Sequence, residues 1–272
     1  VTELPELPNN LVLPANFLVG NGDGPPAKPK DAATVALLRD GTDGLEVFLQ
    51  HRVTGMAFAG GMTVFPGGGV DKRDADTSIG WTGPQPEWWG SRFGCSPELA
   101  RSLVCAAVRE TFEESGVLLA GPDPDSVVAD TAEYAEARAQ LESKEISFAQ
   151  FMAETGLVLR ADLLRPWSNW VTPAQEPRRY DTRFFVAALP AGQRADGNTS
   201  EASGAGWQRP VDAIADGEQG RRMLMPPTWL TLIQIGKHET VAGAVAMDRD
   251  IDQILPKIVR DGDQLRVEIP HD

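Results

Sequence analysis

Two stretches constrain this chain more than any others: Phe65-Pro66-Gly67-Gly68-Gly69-Val70-Asp71-Lys72-Arg73-Asp74 and Arg109-Glu110-Thr111-Phe112-Glu113-Glu114-Ser115-Gly116-Val117. The first reads as a strand end running into a glycine loop, because glycine lets the backbone take positive φ and approach a ligand closely. The second reads as a helix end. Ser96 is an N-cap, Pro97 takes the first helical position and Gly116 is a C-terminal stop, which predicts a helix over Pro97–Ser115. At about 100° per residue, Val104, Val108 and Phe112 form one apolar stripe while Glu110, Glu113 and Glu114 lie on the other side. Three carboxylates in a last turn repel one another and the negative end of the helix dipole. They ask for a counter-charge, and a hard divalent cation with oxygen ligands, Mg²⁺ or Mn²⁺, answers that need.

These residues resemble the signature of the Nudix hydrolases: a glycine, a glutamate a few residues on, then Arg-Glu-aliphatic-x-Glu-Glu-x-Gly-aliphatic. Gly68 opens the box and Arg109 to Val117 closes it, with Asp74 in place of the first glutamate and Thr111 in place of an aliphatic residue. Between Asp74 and Arg109 lie 34 residues, far more than the usual spacer, and the excess is read as a surface loop. A long-box branch, including the peroxisomal coenzyme A diphosphatases, is similar in carrying such an insertion. The resemblance implies an α/β fold, a mixed sheet sandwiched between helices. The expected organisation is an extended segment over residues 1–30 and one domain over 31–272, with box halves at 68–74 and 109–117. A loop insertion is expected at 75–95 and a helical insertion at about 124–156.

By the same resemblance, Glu110 and Glu114 are the main metal ligands, Glu113 shares a metal, and a backbone carbonyl of Gly67 or Gly68 completes the shell. Arg109 holds a box carboxylate, supplied by Asp74 or in its stead by Asp71 or Glu98. The general base is Glu113 or Glu201, the latter in a Gly/Ser-rich connection before Trp207. Arg178 and Arg179 precede a core strand and are candidates for phosphate contacts, since guanidinium matches phosphate with paired donors. Arg52 is the nearby basic residue upstream of Phe-Pro-Gly-Gly, while Ala57 stands where the coenzyme A enzymes often carry an arginine. The implied reaction is metal-dependent attack of water on a pyrophosphate, most closely that of coenzyme A or acyl-coenzyme A. NADH or ADP-ribose is the alternative substrate, and a non-catalytic nucleotide sensor is the alternative of another class.

Composition agrees with a small-molecule nucleotide enzyme. A net charge of −14 argues against a general nucleic-acid binder and makes a bound cation useful to an anionic substrate. Cys95 and Cys105 are too few for a disulfide framework. No apolar run reaches the length of a membrane span and no secretory signal opens the chain, so a cytoplasmic protein without a membrane partner is expected. Trp81, Trp88 and Trp89 in the loop insertion staple it to the surface or, as the sharper reading, make a lid or a homodimer contact.

Elsewhere, Ala32–Leu38 and Leu45–His51 predict a hairpin with a five-residue turn, and Met62–Phe65 a strand before the glycines. Ser126 to Lys144 reads as one helix and Ser147 to Glu154 as another, packed beside the substrate groove. Trp167–Pro173 and Phe184–Leu189 are strand-like, Val211–Asp216 and Pro227–Gly236 helical, and Gln264–Ile269 a last strand.

Overall fold

The computed structural model describes residues 25–55, 59–261 and 264–269. The expected extended entry up to residue 24, and Ala57, lie outside the described residues. The described chain opens with β1 (Lys30–Gly41) and β2 (Gly44–Arg52), joined by Thr42 and Asp43. The turn is tighter than expected because Gly41 and Gly44 pair across it and Gly44 takes φ of 114°, open to glycine without strain. β3 (Thr63–Val64) and β4 (Gly67–Gly69) follow.

The expected glycine loop is in fact a strand. β4 runs antiparallel to β1, with Gly67 to Gly69 opposite Thr34 to Ala32 and no positive φ among the three glycines. Crowding explains Gly67 and Gly68, whereas Gly69 has open space beside it. A Cβ on Gly67 would lie 2.5 Å from Thr34 Cβ, and one on Gly68 would lie 2.5 Å from the Glu110 carboxylate.

A 3₁₀ turn (Lys72–Ala75) and β5 (Trp81–Thr82) lead into α1 (Pro86–Phe93) and α2 (Pro97–Ser115). The insertion at 75–95 is therefore not a surface loop. Trp89 is fully buried, lies 5.6 Å from Phe185 between ring centroids, and shares the Pro84 carbonyl with Trp81 as acceptor for both indole N–H groups. Of the three tryptophans only Trp88 is exposed, and none of them lines the cleft described below, so they form no lid over it.

β6 (Ala120–Gly121) is followed by α3 (Ala135–Glu142), α4 (Phe148–Thr155) and β7 (Val158–Arg160). The helix expected from Ser126 begins later, with a 3₁₀ turn at Ala132–Tyr134, while Ser147 caps α4 as expected by accepting from the Gln150 N–H. Then come β8 (Leu164–Val171), β9 (Tyr180–Ala188) and β10 (Ala202–Gln208). They are followed by α5 (Pro210–Glu218), α6 (Pro226–Ile235), α7 (Val241–Val245), β11 (Gln253–Ile254), β12 (Lys257–Asp261) and β13 (Gln264–Glu268). β10 corrects the loop expected around Glu201, because this glycine-rich stretch borrows its order from antiparallel pairing with β2.

The main sheet has the order β10-β2-β1-β9-β8-β11, with β3 on β2 and β4 on β1. β1 and β9 run parallel, as do β8 and β11, while the other pairs are antiparallel, so the sheet is mixed. Alternation gives it two buried faces. Val35, Leu37, Phe185 and Ala187 pack with α1 and α2 on one side, and Ala36, Leu38, Phe184 and Val186 pack with α5 and α6 on the other. The architecture is thus helix, sheet, helix. Each fully buried Leu, Val or Phe contributes about 1.5–3 kcal/mol from its removal from water. No helix among the described residues is long and apolar enough to cross a membrane.

Candidate active site

Helix α2 delivers its carboxylates by local rules. The Ser96 hydroxyl accepts from Leu99 N–H, and Gly116 ends the helix at φ 72°, donating its N–H to the Phe112 carbonyl. Two other carbonyls of the last turn find side-chain donors: Arg138 Nε to Glu113 O at 3.0 Å, and Gln50 Nε2 to Glu114 O at 2.8 Å. Carbonyls that have no partner within the helix are thereby satisfied, and α2 is pinned at the end that carries Glu113 and Glu114. Thr111 sits fully buried where an aliphatic residue is usual, its hydroxyl spent on the Ala107 carbonyl at 2.7 Å.

Arg109 organises the carboxylates. Its Nε and Nη2 grip the two oxygens of Asp74 at 2.9 Å each, and Nη2 also donates to the Gly69 carbonyl at 3.1 Å. Its Nη1 reaches Glu110 at 2.8 Å and both oxygens of Glu113 at 3.2 Å. The open choice of acid is settled for Asp74, which is 1% exposed and also caps its own 3₁₀ turn by accepting from the Asp71 N–H. Asp71 pairs with Arg73, and Glu98 lies exposed at the far end of α2. Desolvation works against the Arg109 charge, but Glu110, Asp74 and Glu113 outweigh it and hold the guanidinium above its ordinary range.

The glutamates sit on the opposite side of this balance. Desolvation pushes Glu110 upward, Glu113 up to about 7 and Glu114 well above the ordinary carboxylate range, and mutual repulsion adds to it. Glu114 accepts from the Gly67 N–H at 2.8 Å and lies 4.0 Å from Arg52, whose other nitrogen holds Glu201 at 2.8 Å. Gly67 thus holds Glu114 through its amide N–H.

The donor set fits a hard divalent cation. Asp74, Glu110, Glu113, Glu114 and Glu201 present five carboxylates against the guanidiniums of Arg52 and Arg109, leaving an excess of negative charge on oxygen donors. Among the described residues no three such groups already stand close enough to cage an ion. The reason is visible in the pairing, because Arg109 engages Glu110 and Glu113 while Glu114 is turned to Gly67.

Arg109, Glu110, Glu113 and Glu114 line one cleft of about 600 Å³ together with Arg52, Glu201, Gly67, Gly68 and Arg178, while Asp74 stays buried behind Arg109. Arg179 is the exception among the expected site residues. Its guanidinium is clipped to the carbonyls of Thr172 at 3.0 Å and Ala27 at 2.9 Å. The helical insertion does border the groove, through Glu142 and Lys144. Phe65, Trp170, Phe184, Met225, Pro226 and Pro227 add apolar surface to the lining, beside polar residues such as Lys30, Asp31, Tyr180 and Thr182. Gln50, Arg138 and this apolar wall were not foreseen; a glutamine in a strand and an arginine in a helix carry no local mark of a partner far along the chain.

The loop between β8 and β9 contributes Pro173 and Arg178 to the rim and carries Glu176, one of whose carboxyl oxygens is buried without a partner among the described residues. Desolvation pushes this carboxyl up to about 7 from its ordinary 4.5. The folded state then binds the proton more tightly than the unfolded chain, so the contribution is fully present below pH 4.5 and lost as pH rises through 7. Glu176→Gln is expected to raise Tm at pH 8 and to flatten the fall of Tm across that window. An unchanged pH slope in thermal unfolding scans would show that the carboxyl is solvated.

The family model described as the NUDT19 Nudix domain matches residues 94–235. The acyl-coenzyme A diphosphatase NUDT19 of Xenopus laevis is 26% identical over 72% of this chain, and this chain spans 61% of that protein's length. The human protein of the same name is 26% identical over 86% of this chain and 69% of its own. Among solved structures, a Nudix hydrolase from Alicyclobacillus acidocaldarius superimposes with a TM-score of 0.65 at 25% identity, covering 82% of this chain and 98% of that one. With a family match over more than half its residues and a glycine strand facing an Arg-Glu-x-x-Glu-Glu helix end, this chain belongs to the NUDT19 Nudix domain family.

Proposed function

We propose that this protein hydrolyses the pyrophosphate of coenzyme A or acyl-coenzyme A in the presence of Mg²⁺ or Mn²⁺. The observation that carries the reading is a single cleft with a carboxylate-rich end and an apolar wall. A nucleoside diphosphate joined to a long arm has that same division. The relatives named acyl-coenzyme A diphosphatases support it.

In this reading Glu110 and Glu114 hold the cation, with Glu113 beside them. The ion, when bound, neutralises phosphate oxygens and acidifies water. The chain's own residues do the rest. Arg109 fixes Glu110 and Glu113 in place, and the Gly67 amide fixes Glu114. Glu201 is the general base: its side chain is 44% exposed to the water of the cleft and steadied by Arg52, whereas Glu113 is clamped by Arg109. Water adds to one phosphorus, its proton passes to the Glu201 carboxylate, and the bridging oxygen leaves with the other phosphate. The products are 3′-phosphoadenosine 5′-phosphate and phosphopantetheine or its acyl thioester.

Glu201→Gln is expected to lower kcat by about 10²-fold or more with little change in KM, as loss of a general base does. A larger loss in Glu113→Gln than in Glu201→Gln would move the base to Glu113. Arg178, exposed at the rim, is placed to meet a phosphate of the substrate. Arg178→Ala is expected to raise KM for coenzyme A about tenfold relative to KM for ADP-ribose, which lacks the third phosphate. Equal shifts for both substrates would remove Arg178 from 3′-phosphate recognition.

The deciding experiment is product analysis with coenzyme A, acetyl-coenzyme A, NADH and ADP-ribose, with Mg²⁺ and with chelator. Metal-dependent cleavage of the coenzyme A compounds is the expected result. Cleavage of NADH or ADP-ribose alone would keep the reaction and replace the substrate, and binding without turnover would point to a nucleotide sensor.

A further inference from the structure

The C-terminal ribbon β12–β13 is hydrogen-bonded to neither of the other sheets among the described residues, yet it is part of the cleft. Ile258 and Val267 are register partners across it and both line the cleft, as does the buried Pro256 that precedes β12. Directly opposite residues in an antiparallel pair put their side chains on one face. The other face carries Lys257, Arg266 and Glu268, all exposed, with the half-buried Val259 opposite Arg266. The ribbon thus turns the apolar pair Ile258 and Val267 toward the cleft and the charged Lys257, Arg266 and Glu268 away from it.

Ile258 is buried, yet it belongs to neither apolar core of the domain. The ribbon is held at both ends. β11 docks parallel to β8 with Ile254 opposite Trp170, and Ile269 packs against the core on the α5 and α6 side. Between these anchors stands a two-stranded ribbon, a structure only marginally stable in water unless its apolar face is covered. Trp170 and Met225 add apolar surface to the same cleft.

We propose that β12–β13 is the wall against which the apolar arm of the substrate lies, and that Ile258 and Val267 set the preference for acyl length. The inference rests on the coenzyme A reading above and adds the element that discriminates among its thioesters. The diphosphate lies at the carboxylate end, and the arm runs along the apolar wall under the ribbon. A substrate with a longer chain covers more of the ribbon's inner face and gains the free energy of that burial. A substrate without an arm, such as ADP-ribose, gains none of it.

The test is a chain-length series of free coenzyme A and its acetyl, octanoyl and dodecanoyl thioesters, with ADP-ribose alongside, on the parent and on Ile258→Ala, Val267→Ala and Ile258→Trp. In the parent, kcat/KM is expected to rise with chain length. The alanine variants together should reduce the ratio of dodecanoyl to free coenzyme A about tenfold, the scale of discrimination that a hydrophobic pocket supplies. Ile258→Trp should shift the optimum to shorter chains. A second readout is independent of turnover: in Glu114→Gln, amide exchange in β12 and β13 should slow more with dodecanoyl-coenzyme A than with coenzyme A.

A chain-length profile that is the same in parent and variants, or ribbon amides indifferent to the acyl group, would overturn the inference while leaving the coenzyme A reading intact. Turnover of ADP-ribose without turnover of any coenzyme A compound would remove both, and is recognised by the parent enzyme alone.

Discussion

Arg109→Ala is expected to destabilise the fold by about 3–5 kcal/mol, the cost of leaving buried charges without their partner. The magnitude follows from how many acids lose a counter-charge at once. Asp74 is 1% exposed and has both oxygens on this guanidinium, and Glu110 and Glu113 share its third nitrogen. No nearby water-facing route lets Asp74 relax. Arg109→Lys keeps the charge but not the fork, so it should recover only part of the loss. Denaturant unfolding of Arg109→Ala, Asp74→Ala and the double variant checks the assignment: the two single losses should sum to clearly more than the double loss. Additive losses, or an Arg109→Ala cost below about 1 kcal/mol, would mean that the cluster is solvated.

Glu114→Gln separates function from stability. Activity should fall about 10³-fold, as when one preorganised electrostatic group is lost from a reaction centre. Stability should hold or rise. The Glu114 carboxylate is desolvated and repelled by Glu110 and Glu201, with the Gly67 amide and the more distant Arg52 in compensation. A glutamine keeps an acceptor for the Gly67 N–H and sheds the charge. In thermal scans the parent should gain stability with added Mg²⁺ or Mn²⁺ in proportion to occupancy, and the variant much less. A variant that loses activity only because it unfolds would contradict this assignment.

The parts of the site that were legible in the sequence are those with local or closely patterned causes. Ser96, Pro97 and Gly116 frame α2 because capping is decided within one turn, and the observed bounds agree with the expected ones. That Arg109 holds a box carboxylate was readable as a motif, but the choice of Asp74 over Asp71 and Glu98 was settled only by the fold. The same capping logic was present for α1, with Pro86 at its start and Gly94 in the left-handed conformation at its end. It was masked by a run rich in Trp, Gly and Pro that reads as loop.

β4 and β10 were missed for a different reason. Gly67 to Gly69 have no strand propensity; they are extended because β1 supplies their hydrogen bonds, and Thr34 and Glu110 leave no room for a side chain at Gly67 and Gly68. β10 is likewise ordered by β2. Gln50, which holds the Glu114 carbonyl from 64 residues away, and Arg138, which holds that of Glu113, are visible only once the chain is folded. Arg179 shows the converse error: guanidinium chemistry was read correctly, but the carbonyls of Thr172 and Ala27 occupy Arg179 and only its neighbour Arg178 lines the cleft.

The parallel pairing of β1 with β9 also bears on how this protein is born. Asp31 on β1 and Arg183 on β9 are joined by an ion pair that spans 152 positions of the chain. During synthesis β1 gains β2 at once, but its other edge stays open until β9 leaves the ribosome, well after α2 and its carboxylates have emerged. An exposed apolar edge held open that long is a template for wrong pairing, and pairing of such remote segments is slow. Expression at lower temperature, or with chaperones in excess, should therefore increase the yield of native protein far more than any change at the catalytic cleft.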